Sequence, residues 1–83
     1  MTEILVLADG TELYGYAENQ NGKLYLYMHG MTIQEILALL EDPEKTERII
    51  SRRNDGTHIY DGFTRLEEII EVSDLFITST MGK

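Results

Sequence analysis

The sequence predicts an α+β domain. It expects a mostly antiparallel β-sheet of meanders and hairpins, able to close into a small barrel or sandwich, with one central α-helix near residues 32–41. Three observations predict it. Apolar and polar residues alternate with period 2 through residues 11–18 and 23–29, with turn residues between the two runs. An apolar stripe at helical spacing follows, from Ile33 to Leu40. The remainder is short extended stretches punctuated by Asn-Asp-Gly and Asp-Gly turns, the pattern of a sheet carrying a helix.

Each element has its own signal. Residues 4–8 are apolar on both faces and read as a central or doubly covered strand. Asp9-Gly10 then turns the chain into a hairpin. Its first strand sets Leu13, Gly15 and Ala17 against Glu12, Tyr14, Tyr16 and Glu18, and its second sets Leu24, Leu26 and Met28 against Tyr25, Tyr27 and His29. Asn19-Gln20-Asn21-Gly22 joins them with residues that tolerate positive φ. Thr32 and Glu35 have capping-box spacing, and Ile33, Ile36, Leu37 and Leu40 form the stripe that follows. Asp42-Pro43 stops that helix and starts one more turn near residues 43–47. Residues 47–53 read as a strand, and Asn54-Asp55-Gly56 as its turn. Residues 57–60 run extended into Asp61-Gly62, and the stretch beyond is open between strand and helix. Leu66, Ile70 and Val72 fall on one strand face, whereas Leu66, Ile69 and Ile70 fit a helix, and Thr64 with Glu67 repeats the capping spacing. Val72-Ser73-Asp74 turns into a last strand at residues 75–81. Gly15 within a strand, and Gly62 between Asp61 and Phe63, mark a close approach and a bend.

The hairpin therefore has a leucine face and a face carrying Tyr14, Tyr16, Tyr25 and Tyr27. Three readings of that face are open. It is a second buried layer, covered by the C-terminal strands. It is a protein–protein surface, since tyrosine is enriched in interface hot spots. Or it is a platform for stacking single-stranded nucleic acid, a reading opposed by the charge.

At 83 residues the chain predicts one domain, 1–83, with 42 % hydrophobic residues, in the ordinary globular range. Fifteen acidic and seven basic residues leave a net charge of −8, which repels phosphate backbones and anionic membranes and suits a basic partner. The expectation is therefore no nucleic acid and no membrane. No apolar run approaches a membrane span, and the N-terminus shows no basic leader. Arg48, Arg52, Arg53 and Arg65 form a basic island in this acidic chain, read either as an ordinary solvated patch or as a self-association surface.

Chemistry-bearing constellations are sparse. There is no cysteine, and His29 and His58 lack the spacing of a metal site, so no metal and no cofactor are expected. Ser51, His58 and Asp55 or Asp61 are the residue types of a nucleophile system, without a nucleophile elbow or oxyanion motif. Adjacent carboxylates such as Glu67 and Glu68 point apart on a strand. The reading is of a protein that is not an enzyme and has no catalytic residues. Its candidate protein-binding residues are Tyr14, Tyr16, Tyr25, Tyr27, Arg48, Arg52 and Arg53.

Several short motifs run along most of the chain: Asp9-Gly10-Thr11, Gly30-Met31-Thr32, Ile36-x-x-Leu39-Leu40-x-Asp42-Pro43-Glu44-x-Thr46, and Ile59-Tyr60-Asp61-Gly62-Phe63-Thr64-x-Leu66, with Lys83 after the last strand. This layout resembles a group of small proteins encoded in phages and prophages of Gram-positive bacteria. It departs from them in the polar Thr78-Ser79-Thr80 of its last strand. The resemblance favours a strand over residues 57–71 and implies a phage structural or assembly accessory protein, in the bacterial cytoplasm or the virion. Such a protein would contact phage particle proteins or associate with itself. The alternative suggested by charge is a small acidic inhibitor that occupies the nucleic-acid channel of a host defence enzyme.

Overall fold

The computed structural model describes residues 2–83. Seven strands and two short helices run in the order β1 (Ile4–Leu7), β2 (Glu12–Gln20), β3 (Lys23–Met28), α1 (Ile33–Leu40), α2 (Pro43–Thr46), β4 (Arg48–Arg53), β5 (Gly56–Asp61), β6 (Arg65–Val72) and β7 (Ile77–Gly82). Strands make up 55 % and helices 15 %. This corrects the expected α+β class with one central helix: the molecule is a small β-rich domain. Asp42-Pro43 ends α1 after two turns and opens α2 where the sequence places the stop and the new turn, the Asp42 side chain accepting from Glu44 N–H. The stretch 57–71, expected as one strand, is two strands on opposite edges of the sheet.

All seven strands form one antiparallel sheet in the order β5-β4-β1-β2-β3-β7-β6. β2 is shared. Its first residues pair with β1 as far as Tyr14, and from Gly15 onward it pairs with β3. The sheet bends where β2 changes partner, as corners of orthogonally packed sheets do. Gly15 makes the bend possible, with φ +147 and its Cα pressed against the β3 backbone at Tyr27 and Met28. At the other corner, residues 62–64 join β5 to β6, although these strands end the sheet order. Four Cα steps span at most about 14 Å, so the two edges must meet there. Gly62, at φ +84, turns that corner while its N–H still donates to Glu47 C=O at 2.9 Å. The sheet thus curls on itself, and the extents of 28 × 27 × 26 Å are those of a ball and not of a slab. β5 and β6 share no ladder, so the curl stops short of a closed barrel.

The curl encloses the leucine face. Leu5, Leu7, Ala17, Leu24, Leu26, Met28, Ile49, Ile77 and Met81 line it, and Ile36 and Leu40 of α1 and Phe63 of the β5–β6 corner fill it. The Thr32–Glu35 capping box forms as its spacing predicts. Asn21 and Gly22 both take positive φ, so the tyrosine hairpin closes on a tight two-residue turn and β2 extends to Gln20. The last strand begins at Ile77 and not at 75, because the Ser73 hydroxyl accepts from the N–H groups of Leu75 and Phe76 and holds them in the turn. β1 is central in the sheet but covered on one face only. Its Ile4 and Val6 side chains, half-buried, face outward.

β6 carries two bulges against β7, between Leu66 and Glu68 and between Ile69 and Glu71. Each bulge adds a residue before the next inward position. Leu66, Ile69 and Val72 therefore face Met81, Ser79 and Ile77 on the inner side at a spacing of three. That spacing is what made this strand imitate a helix. Polar β7 is buried throughout, and Ser79 Oγ has no hydrogen-bond partner among the described residues.

Two substitutions test this packing. Gly15→Ala should cost about 3 kcal/mol or more in urea unfolding, since its Cβ would meet the Tyr27 carbonyl oxygen in a strained backbone. Ser79→Ala should leave stability unchanged or raise it by about 1 kcal/mol, because the hydroxyl is buried without compensation.

Candidate functional site

The register places side chains in rows across the outer face of the sheet. One row runs Tyr16, Tyr27, Thr78, Glu71, and the next runs Glu18, Tyr25, Thr80, Glu68. Tyr14 stands at the start of the face, beside Ile4 and 62 % exposed. All four candidate tyrosines thus share one face, and no strand or helix is layered over it. The reading of a second buried layer is overturned: β7 and β6 lie beside β3 in the same sheet and do not fold across it.

The aromatic side chains cover one another instead. Tyr16 and Tyr27 stack with centroids 4.7 Å apart, and Phe76 meets both edge-on at 6.0 and 6.3 Å. His29 lies 5.2 Å from the Phe76 ring and 6.4 Å from that of Tyr14, so it extends the cluster. Such pairs each add about 0.5–1.5 kcal/mol to area burial. Gln20 Nε2 donates to the Tyr27 hydroxyl at 3.3 Å. Burial, with Glu18, Tyr27 and Glu3 adding to it, pushes the Tyr16 phenol above its usual value. Carboxylates flank the cluster on both sides: Glu18 on β2, and Glu68 and Glu71 on β6. Past Phe76 the surface drops into an apolar notch of about 460 Å³, lined by Met31, Ile33, Val72 and Leu75 among others.

The arginine island does not assemble. Arg48 and Arg52 are exposed and alternate on β4 with inward Ile49, Ser51 and Arg53, and Arg65 lies on the opposite edge of the sheet. Arg48 Nε donates to Asp61 Oδ1 at 2.7 Å. Arg53 serves the fold. Its Nη1 donates to Ala17 C=O at 3.2 Å, and its guanidinium lies 3.5 Å from Glu18 and 5.8 Å from the Tyr16 ring centroid. Ser51 is fully buried, and its Oγ accepts from Ala17 N–H at 2.9 Å. His58, opposite Ser51 in register, has its Nε2 2.9 Å from Asp55 Oδ1. A buried serine already engaged with backbone offers no nucleophile to a substrate. Among the described residues no group of His, Asp and Glu converges as a metal site would require.

Phe76 and His29 are not among the candidate binding residues, although alternation sets His29 on the tyrosine face. Phe76 alternates with Ile77 at the strand start, so its side was legible but its neighbours were not. Its place beside Tyr16 and Tyr27 depends on β7 pairing with β3. Gly15 and Gly62, expected at a close approach and a bend, stand at the two corners of the sheet. No helix among the described residues is long and apolar enough to cross a membrane. Compared with protein-family models, curated proteins and solved structures, the chain matches none of them.

The ion pairs on β4 and β5 make stability depend on pH. The Arg48 guanidinium holds the Asp61 carboxyl below its ordinary 3.8, and His58 does the same for Asp55. A carboxyl depressed on folding stabilises above its unfolded value, and the contribution fades as pH falls through the folded one. The difference in urea midpoint between the native chain and Asp61→Asn should thus be present at neutral pH and shrink as pH falls below 3.8 and through the lowered folded value. Ser51→Ala should cost about 1–3 kcal/mol at any pH, because it strands the buried Ala17 N–H.

Proposed function

We propose that this chain is a non-enzymatic protein-binding domain, a structural or assembly accessory protein of a phage or prophage, acting through its outer aromatic face. One observation carries the binding reading: Tyr16, Tyr27 and Phe76 form an aromatic cluster that no element of the fold covers. Tyrosines that are already stacked lose little conformational freedom on docking, and this favours them as interface anchors. The phage attribution is supported by the motif resemblance running from Asp9-Gly10-Thr11 to Phe63-Thr64.

A second reading has its own observation. Glu18, Glu68 and Glu71 stand in rows beside the tyrosines, a carboxylate spacing that could imitate a phosphate backbone and occupy a basic channel. Immobilised protein exposed to host and phage lysate separates the two. Capture of capsid or tail proteins that survives rising salt supports the accessory protein. Capture of a nuclease that is released as salt rises supports the inhibitor. In either case Tyr16→Ser with Tyr27→Ser should abolish capture while lowering stability by only about 1–2 kcal/mol. Undiminished capture by the folded double variant removes the aromatic face from the function.

A further inference from the structure

The two edges of the sheet differ. β6 is bulged twice and carries Arg65 with three glutamates, Glu67, Glu68 and Glu71. Bulges and charges of this kind keep an edge from pairing with another chain. β5 has none of these protections. It pairs with β4 over six residues without a register shift, contains no proline or lysine, and exposes Ile59 to 56 %. The β4–β5 hairpin, residues 48–61, bears three arginines against two aspartates, in a chain of net charge −8. This edge is thus closer to neutral than β6, where one arginine stands against three glutamates.

Backbone phase fixes what this edge offers. Arg53 and Gly56 pair across the two-residue turn Asn54-Asp55, and Gly62 N–H still donates to β4. Even-numbered residues of β5 therefore spend their backbone groups on β4, and Thr57, Ile59 and Asp61 turn theirs to solvent. From this geometry we infer that two copies of the chain pair antiparallel along β5, about a two-fold axis at Ile59. In that register Ile59 opposes its own copy, and Val6-Ile50-Ile59 becomes one apolar row continuing into the second chain. Thr57 opposes Asp61 of the second copy. That carboxylate comes next to the row of Arg52, which is exposed and has no ion-pair partner among the described residues. The neighbouring register, centred on His58, sets Asp61 against Asp55 of the other copy, a like-charge pairing that disfavours it. This inference adds a partner to the protein-binding reading without using the aromatic face, and each can fail without the other.

The cysteine-free chain allows a direct test. Directly opposed residues at a two-fold lie within disulfide reach, whereas Thr57 and its own copy would be about 13 Å apart. Under mild oxidation Ile59→Cys should form covalent dimer at least about tenfold faster than Thr57→Cys, or than Ile70→Cys on β6 as a collision control. In light scattering the native chain should rise with concentration towards twice its 9.5 kDa mass. Ile59→Lys should hold it at the single mass, and Ile70→Lys should not. Equal crosslinking at the three positions, faster crosslinking of His58→Cys, or a native chain that stays at 9.5 kDa at the highest soluble concentration overturns the inference.

Discussion

The backbone of Ala17 is the point on which this curled sheet depends. β2 leaves β1 at Gly15, and beyond the bend the N–H and C=O of Ala17 look toward β4 with no ladder to join. Three side chains reach across instead: Ser51 accepts the N–H, while Arg53 and Tyr60 donate to the C=O. Ser51 is fully buried, so these bonds replace water that cannot enter. Without them the fully buried Ala17 would keep two unpartnered backbone groups, at a cost of about 1–3 kcal/mol each. The curl in turn makes an enclosed core available to a chain of 83 residues.

How much of this was legible in the chain follows from how local each signal is. The tyrosine hairpin could be read because its period is 2 and its Asn-Gly turn is self-contained. The capping box on α1 is equally local. β6 could not be read, since two bulges convert a strand's period into a spacing of three, and only pairing with β7 reveals where the extra residues sit. The arginine cluster failed for a similar reason. Neighbours in sequence on a strand leave it in opposite directions, so Arg52 stands exposed while Arg53 reaches across to Ala17, Glu18 and the Tyr16 ring. The candidate surface was largely legible: four tyrosines and the side of His29 follow from alternation, but not the place of Phe76, which joins them through the long-range β3–β7 pairing. The arginine that does meet this surface, Arg53, does so while holding Ala17.

The outer face and the core make opposite use of the same strands. Inside, Gly15 lets β2 lie against the β3 backbone, and Ser51 is small enough to be buried against the Ala17 N–H. Outside, large rings shield one another, and Thr78 and Thr80 sit buried between tyrosines and glutamates. The outer face is thus partly self-covered and still leaves a preformed aromatic area with a charged border. Under the proposed protein-binding function, that combination would select partners by shape at its centre and by charge at its rim.

The paired bulges of β6 have a consequence for growth. A sheet with two regular edges can be extended without end, each added copy presenting a fresh edge to the next. Here the donors and acceptors of β6 are out of step with a regular strand, and its carboxylates repel a like chain. Addition at β5 would use up the regular edge of both copies at once, leaving only bulged strands outermost. On the proposed pairing, sheet-edge assembly would stop at two copies, because the strands left outermost are the bulged ones.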